Sequence, residues 1–487
     1  MKIISSILAA MLLFTTDASA FCGFYVAKAD ATLFNTKSQV ILVRDGDRTV
    51  VTMSNDFQGD VSDFAMVVPV PTLLKQKDIR VVNPSLFKKL DDYSAPRMVE
   101  YWDQEPCMRY LMDEEVELDM VSSMAIRETS VAGSVRNAKK YKVTIEAQYE
   151  IEEYDVLILS AKESSGLKRW LVDNGYKIPE QAEEVLDPYI KNGLKFFVVK
   201  VDQKRMSNPN SEFLRPLQIE YTSDRFMLPI RLGMANADGE QDMIVYAFTR
   251  QGRIECTNYR TLKIPTDRNI PKFIKDKNQF GEFYRDLFAK AHDREGRNSV
   301  FLEYAWNVTP NFGMKCDPCV GPPPMYQEFV DAGANWVNPN NAWGSSIFFT
   351  RLHVRYSRDE FPQDLFFQVT PNQEQSQGRY VITNPATGDM SCKQGQRYLK
   401  DLEFRRKKEV DELTALTSWN EPRYARYIYE YSDRIHDQER NTVIPFVPQD
   451  KNGGGTPWKS LIGFSLLTIL SIVWLFYGSR TRVSLET

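Results

Sequence analysis

Residues 154–201 read YDVLILSAKESSGLKRWLVDNGYKIPEQAEEVLDPYIKNGLKFFVVKV. The order of elements in this stretch decides the fold class. Residues 154–160 carry the apolar and β-branched side chains of a sheet strand. In residues 164–174, Leu167, Trp170 and Leu171 fall at i, i+3 and i+4, one face of a helix, and Asn174-Gly175 supplies a left-handed stop. Residues 179–191 predict a second helix, with Pro179 at the first position, where no N–H is needed, and Asn192-Gly193 as its stop. Residues 194–201 return to a strand. A strand at 142–149 precedes, and strands at 217–221, 226–232 and 243–249 follow. A helix pair between strands, then a run of strands, predicts an α+β domain over 141–264.

Towards the N-terminus, residues 21–112 read as a β-rich domain. Residues 38–44 and 49–55 are β-branched runs separated by Asp45-Gly46-Asp47, a hairpin signal. The run FAMVVPVP at 64–71 contains Pro69 and Pro71, which cannot donate to a ladder, so it belongs at a sheet edge or leaves the sheet there. Residues 113–140 hold few large apolar side chains and read as a mobile loop. Towards the C-terminus, 265–448 reads as a mixed α/β region. Residues 278–291 place Phe280, Phe283, Tyr284, Leu287, Phe288 and Ala291 on one helical stripe, a core-facing pattern. Strands are expected at 300–306, 347–356 and 365–370, and charged helices at 396–418 and 420–436.

Both ends carry membrane signals. Lys2, the apolar run 3–14 and Ala18-Ser19-Ala20 form a secretory signal over 1–20, with cleavage expected between Ala20 and Phe21. Residues 460–477, from Ser460 to Tyr477, contain no charge and extend about 27 Å as a helix, enough for one crossing. The expected span is 459–478, preceded by a Gly-rich tether at 449–458 and followed by a cytoplasmic tail at 479–487 whose Arg480 and Arg482 obey the positive-inside bias. The expected fold class is therefore α+β, a β-rich exported body with inserted helix pairs plus one C-terminal transmembrane helix. Its expected place is the cytoplasmic (inner) membrane, single-pass, with the large N-terminal part outside.

The 487 residues carry a formal charge of −4, and removing Lys2, Asp17, Lys459, Arg480, Arg482 and Glu486 with the two terminal segments leaves −6 on the body. That balance, with no long basic run, argues against nucleic acid as a partner. The expected partners are the bilayer, through the one helix, and an envelope protein or polymer.

All six cysteines, Cys22, Cys107, Cys256, Cys316, Cys319 and Cys392, lie in the exported part, and up to three disulfides fit an oxidising compartment. Cys316-Asp317-Pro318-Cys319 admits a structural disulfide, a redox pair or a metal site. Pro322, Pro323 and Pro324 obstruct the following helix that a low-pKa thiol needs, and zinc lacks a second ligand pair. His353 shares a strand face with Arg351 and Arg355, which should depress its pKa and leave it solvated or paired. His292 and His436 sit near helix C-termini, where the dipole favours them. The adjacent carboxylates Glu114/Glu115 and Glu183/Glu184 diverge and read as solvated faces. No nucleophile elbow, zincin, P-loop or dinucleotide fingerprint occurs, so no catalytic, cofactor or metal residue is expected.

Several blocks carry a family resemblance: FCGFYVAKADATL, VILVRDGDRTVVTMSNDFQG, FAMVVPVPT, the 154–179 segment, LKFFVVKV, LRPLQIEY, FMLPIRLG and NYRTLKIP, then EYAWN, the Cys316–Cys319 pair and FFTRLHVRY. Over roughly residues 21–420 the chain resembles the bacterial domain-of-unknown-function family 2330. The resemblance implies an exported bacterial protein, commonly with a C-terminal anchor, and brings no catalytic residues. The functional expectation is a non-catalytic, membrane-tethered envelope protein with an extracytoplasmic binding or scaffold domain. The alternative is an extracytoplasmic thiol–disulfide oxidoreductase using Cys316 and Cys319.

Overall fold

The structure, a computed structural model, describes residues 24–25, 38–54, 65–107, 142–174, 176, 182–206, 214–234, 239–309, 322–340, 345–420, 422 and 424–435. The chain opens with β1 (Phe24–Tyr25), the hairpin β2 (Ser38–Asp45) and β3 (Arg48–Ser54), β4 (Ala65–Val70), β5 (Ile79–Val81), α1 (Ser85–Ser94) and β6 (Arg97–Trp102). Next come β7 (Val143–Ile151), β8 (Tyr154–Ala161), α2 (Ser164–Asp173), α3 (Ala182–Lys191), β9 (Lys195–Val201), β10 (Leu217–Thr222), β11 (Met227–Leu228), α4 (Arg231–Met234) and β12 (Gln241–Thr249). Then follow β13 (Ile254–Cys256), β14 (Arg260–Lys263), β15 (Arg268–Asn269), α5 (Phe273–Asp276), α6 (Phe280–Arg294), β16 (Ser299–Asn307) and α7 (Tyr326–Ala332). The last are β17 (Phe348–Tyr356), β18 (Leu365–Val369), β19 (Ser376–Gln377), β20 (Arg379–Asn384), α8 (Lys393–Thr417) and α9 (Tyr424–Ile428).

The strands make a mixed α+β architecture. A five-stranded antiparallel sheet runs β1-β4-β9-β8-β7. A larger sheet runs β14-β16-β17-β12-β2-β3-β10-β5, with β19 against β16, and it is parallel at β2/β12 and β14/β16. Its central strands are buried on both faces, so period-2 alternation sorts side chains between two cores rather than between core and water. Val40, Leu42, Val245 and Ala247 meet Val68, Val156 and Val199 of the five-stranded sheet. Ile41, Val43, Ile244 and Phe248 face the other way, onto Leu86, Phe87 and Leu90 of α1 and Phe329 of α7. The five-stranded sheet buries its far side under the helix pair, with Val67, Phe196 and Val198 against Leu167, Leu171 and Leu186. Helices, sheet, sheet and helices therefore stack in four layers. A separate cluster joins Phe283, Leu287 and Phe288 of α6 to Tyr380, Val410 and Leu413, and so seats α8 over the sheet β15-β20-β6.

Several readings change. The region taken as β-rich contains α1, whose Leu86, Phe87, Leu90 and Tyr93 fall at helical spacing. Residues 226–232 form only the two-residue β11 before turning into α4. Pro69 sits inside β4, second from the edge of its sheet, and among the described residues β1 pairs only with Met66 and Val67, so the residue without an N–H donor faces no described strand on that side. The helix expected at 420–436 reduces to α9 and a single turn at Ser432–Arg434. Gly333 ends α7 with φ of +103°, and a Cβ there would lie 2.7 Å from Val50 Cγ1, so both backbone and space call for glycine. Among the described residues no helix is long and apolar enough to cross a membrane. The expected signal at 1–20, loop at 113–140, tether and span at 449–478, and tail at 479–487 lie outside them.

Candidate functional site

Cys107 and Cys392 form a disulfide with a Cα–Cα distance of 6.0 Å. It joins the end of β6 to the N-terminus of α8 across 285 residues of sequence, a closure worth about 5 kcal/mol in the chain-entropy account. Cys392 also caps α8, its sulfur accepting from Gly395 N at 3.2 Å. Cys256 is a free, buried thiol whose pKa burial pushes up, so the six cysteines do not close three disulfides. Cys22, Cys316 and Cys319 lie outside the described residues, as do Ala20, Phe21, Ser460, Tyr477, Arg480 and Arg482. Among the described residues no cluster of His, Cys, Asp or Glu could hold a metal ion.

His353 is paired, as expected, but the direction of its pKa shift is opposite to the one expected. Alternation along β17 does place Arg351, His353 and Arg355 on one face, but carboxylates reach them from both neighbouring strands. From β12 comes Asp242, the register partner of Arg355. From β16 comes Glu303, the extra residue of a β-bulge between Leu302 and Tyr304. The bulge lets Glu303 and Tyr304 point to the same side, which regular alternation forbids. His353 Nδ1 lies 2.8 Å from Glu303 Oε1, and its Nε2 lies 3.2 Å from Asp242 Oδ1. Arg351 Nε donates to Glu303 Oε2 at 2.6 Å, and its Nη1 donates to Asp91 of α1 at 2.7 Å. Arg355 grips Asp242 with two bonds of 2.9 Å. Tyr284 of α6 donates to Glu303, Tyr246 donates to Asp91, and Phe288 stacks on the imidazole at 3.8 Å.

This is a cluster of three carboxylates and three cations once His353 is protonated. Burial alone would lower the His353 pKa, but the Glu303 charge and the bonds to Asp242 and Glu303 raise it above the ordinary value. Burial would raise Glu303 and Asp242, yet both carboxyls are held well below the usual range, Glu303 by His353 and Arg351 and Asp242 by His353 and Arg355. Glu303 is 1% exposed and Arg351 3%, and α1 and α6 close the cluster from above. Its chemistry is a tie between sheet and helices, with no room for a substrate.

An open site lies on the other side of the five-stranded sheet's helix pair. A cleft of about 330 Å³ is bounded by α3, by the β11/β18 pair and by the start of α4. Its apolar side includes Met227 and Phe366, register partners across that pair. Its polar groups include Asp364, Tyr189, Arg225 and Arg231. Asp364, 7% exposed, accepts from Tyr189 Oη at 2.7 Å and from Arg231 N at 3.2 Å. Burial pushes its carboxyl up, against the lowering pull of those bonds and of the Arg231 charge. Arg225 donates to the Asn192 carbonyl at 3.4 Å, and the Arg231 guanidinium makes no hydrogen bond or ion pair among the described residues. Asn192 sits here because α3 ends in Gly193 at φ of +73°, where Leu194 N bonds back to Tyr189 O at 3.0 Å. A smaller cleft of about 130 Å³ adjoins through Arg231, flanked by an Arg358–Glu184 pair at 2.8 Å.

Three of the disulfide candidates are thus placed: Cys107 and Cys392 are bonded to each other and Cys256 is free. The sequence reading missed the cleft, whose residues come from three separate stretches, 188–194, 225–231 and 363–366, with no spacing to link them. Glu183 and Glu184 are exposed, as read. Fold and cleft together define a strand-rich α+β body with a matched buried charge cluster around Glu303 and a hollow at which Arg225 and Arg231 make no ion pair among the described residues. The chain belongs to the family described as uncharacterized proteins conserved in bacteria, DUF2330, whose model matches residues 16–368. The match stops within β18, short of the 420 expected from the sequence, so α8 and α9 lie beyond it. No curated protein and no solved structure matches the chain.

Proposed function

We propose that this chain is a non-catalytic envelope protein, tethered to the cytoplasmic membrane by residues 459–478, whose extracytoplasmic body binds a small anionic ligand. The cleft carries the reading. It sets two arginines that make no ion pair among the described residues beside an apolar wall, the combination that orients an anionic group while a short hydrophobic portion is buried. The tether reading is supported by the secretory pattern of residues 1–20 and the uncharged run 460–477. The Cys107–Cys392 disulfide supports an oxidising compartment.

Hexanoate, a carboxylate with a short tail, is the probe. Titrated by calorimetry into the full-length chain in detergent, it binds saturably, and R225A/R231A weakens it by about tenfold or more. Equal affinity in wild type and variant removes the cleft from the reading. Protease added to intact spheroplasts digests the body and spares a C-terminal tag. A body protected until lysis overturns the topology.

A further inference from the structure

The helix beyond the family match has two unlike faces. Leu399, Leu402, Val410 and Leu413 of α8 are buried. The opposite stripe carries Lys393, Arg397, Lys400, Lys407 and Lys408 with Asp401 and Asp411, all exposed, and Phe404 at its centre is 74% exposed. At 100° per residue these positions occupy about a third of the helix circumference. The stripe is net positive on a body that is net negative. Lys393, Lys407 and Lys408 make no ion pair among the described residues, and the Arg397–Asp401 contact is long at 3.9 Å.

Most of the large exposed aromatic residues lie on α8 or on segments bonded to its flanks. Trp102 is 68% exposed and adjoins Asp103, whose carboxylate receives Arg405 and Tyr398 of α8, the latter at 2.7 Å. Tyr429, 55% exposed, follows α9, which α8 holds through Arg406 Nη1 to the Tyr427 carbonyl at 2.8 Å. With Tyr101 and Phe404, four of the five large exposed aromatics among the described residues lie on α8 or on segments bonded to it, Phe366 of the cleft being the fifth. A basic helix face with an exposed aromatic ring at its centre is the composition of a surface that rests at the headgroup level of an anionic bilayer. Residues 436–458 reach at most about 80 Å between the last described residue and the expected span, so α8 stays within range of a membrane that the chain itself enters.

We propose that the Lys393–Lys408 face of α8, with Phe404 at its centre, docks on the anionic headgroups of the bilayer that holds the tether. The inference rests on the tether reading and adds a second, reversible membrane contact. It is electrostatic, so salt releases it.

The full-length chain is reconstituted in nanodiscs of phosphatidylcholine, with and without phosphatidylglycerol. Lysine acetylation is followed by mass spectrometry. Lys393, Lys400, Lys407 and Lys408 should react about threefold or more slowly in the anionic discs, and the rates should recover in high salt. Lys88, exposed on α1, should react equally in both. Equal rates at the α8 lysines in the two lipids overturn the proposal, and so does slowing that ignores lipid charge, which assigns the face to a protein contact. A chain that does not enter the discs overturns the tether reading instead. The face is then tested alone by cosedimentation with phosphatidylglycerol vesicles, where K400E/K407E/K408E must lose binding that wild type shows, and wild type that stays in the supernatant overturns it.

Discussion

The tie at Glu303 and the cleft at Asp364 each bury a carboxylate, and they use it in opposite ways. Glu303 receives Arg351, His353 and Tyr284, and its pKa is held far down because the neighbouring positive charge outweighs burial. Asp364 receives one phenol and one backbone N–H, and burial wins, so its pKa rises. The difference lies in where the arginines point. In the tie they close on carboxylates and the site is finished. In the cleft Arg225 bonds only a backbone carbonyl, and the Arg231 guanidinium makes no hydrogen bond or ion pair, among the described residues. Removing one partner of a matched buried charge is costly, whereas a buried carboxyl without a cation partner in a cleft is a candidate functional group.

Glu303→Gln is the hardest test of the tie. The substitution keeps the shape but leaves Arg351 and His353 buried without their shared counter-ion, so unfolding by denaturant should show a loss of about 3–5 kcal/mol. A loss below about 1 kcal/mol would place the cluster with exposed pairs such as Arg250–Asp45, and the contrast with the cleft would fail.

His353 gives a second, smaller test through pH. Its folded pKa is raised, so the stability it confers is fully present below the unfolded value near 6.5 and is lost as pH rises through the folded one. Glu303 and Asp242, both depressed, act in the acid range and confer stability that disappears only as pH falls below the ordinary carboxylate values. His292, lowered first by burial, works against His353, because its contribution is present above about 6.5 and is lost on acidification. Glu240 and Asp293 also face this region through Arg355, and Arg297 bonds to Glu240. Stability should therefore be compared between wild type and His353→Gln. The difference is expected to be about 1–3 kcal/mol near pH 6 and to shrink as pH rises above neutrality. Histidine resonances in the spectrum provide the direct check, with His353 titrating above the free value and His292 below it. Reversed positions would dismiss the electrostatic account of the tie.

The helix pair at 154–201 and the stripe on α6 were legible because each rests on a local rule, 3.6-residue spacing with a glycine or asparagine stop. The α+β class follows from them. The His353 environment was half legible. Strand alternation placed it with Arg351 and Arg355, but a strand carries no information about its lateral neighbours, and the bulge that aims Glu303 depends on pairing between β16 and β17. The sign of the pKa shift therefore came out reversed. The cleft was not legible at all. Tyr189, Arg225, Arg231 and Asp364 become neighbours only when β11 pairs with β18 under the end of α3, and no spacing in the sequence encodes that meeting.

Asp364→Asn is the counterpart of Glu303→Gln, the same carboxylate-to-amide change made in the other region, and its expected effect is the smallest. The Asp364 pKa is raised, so the folded state favours the neutral carboxyl, and stability linked to this group is greatest below the unfolded value near 3.9 and is lost as pH climbs through the folded one. An asparagine is neutral at every pH and its carbonyl oxygen can still accept from Tyr189 Oη and Arg231 N. The variant should match or slightly exceed wild-type stability at pH 7, by less than about 1 kcal/mol, and the difference should vanish at pH 3. Removing a negative charge beside Arg231 should also tighten hexanoate, since the guanidinium then has no competing carboxylate. A loss of stability comparable with that of Glu303→Gln would mean that Asp364 and Arg231 form a second structural tie, leaving the cleft without a free cation to offer.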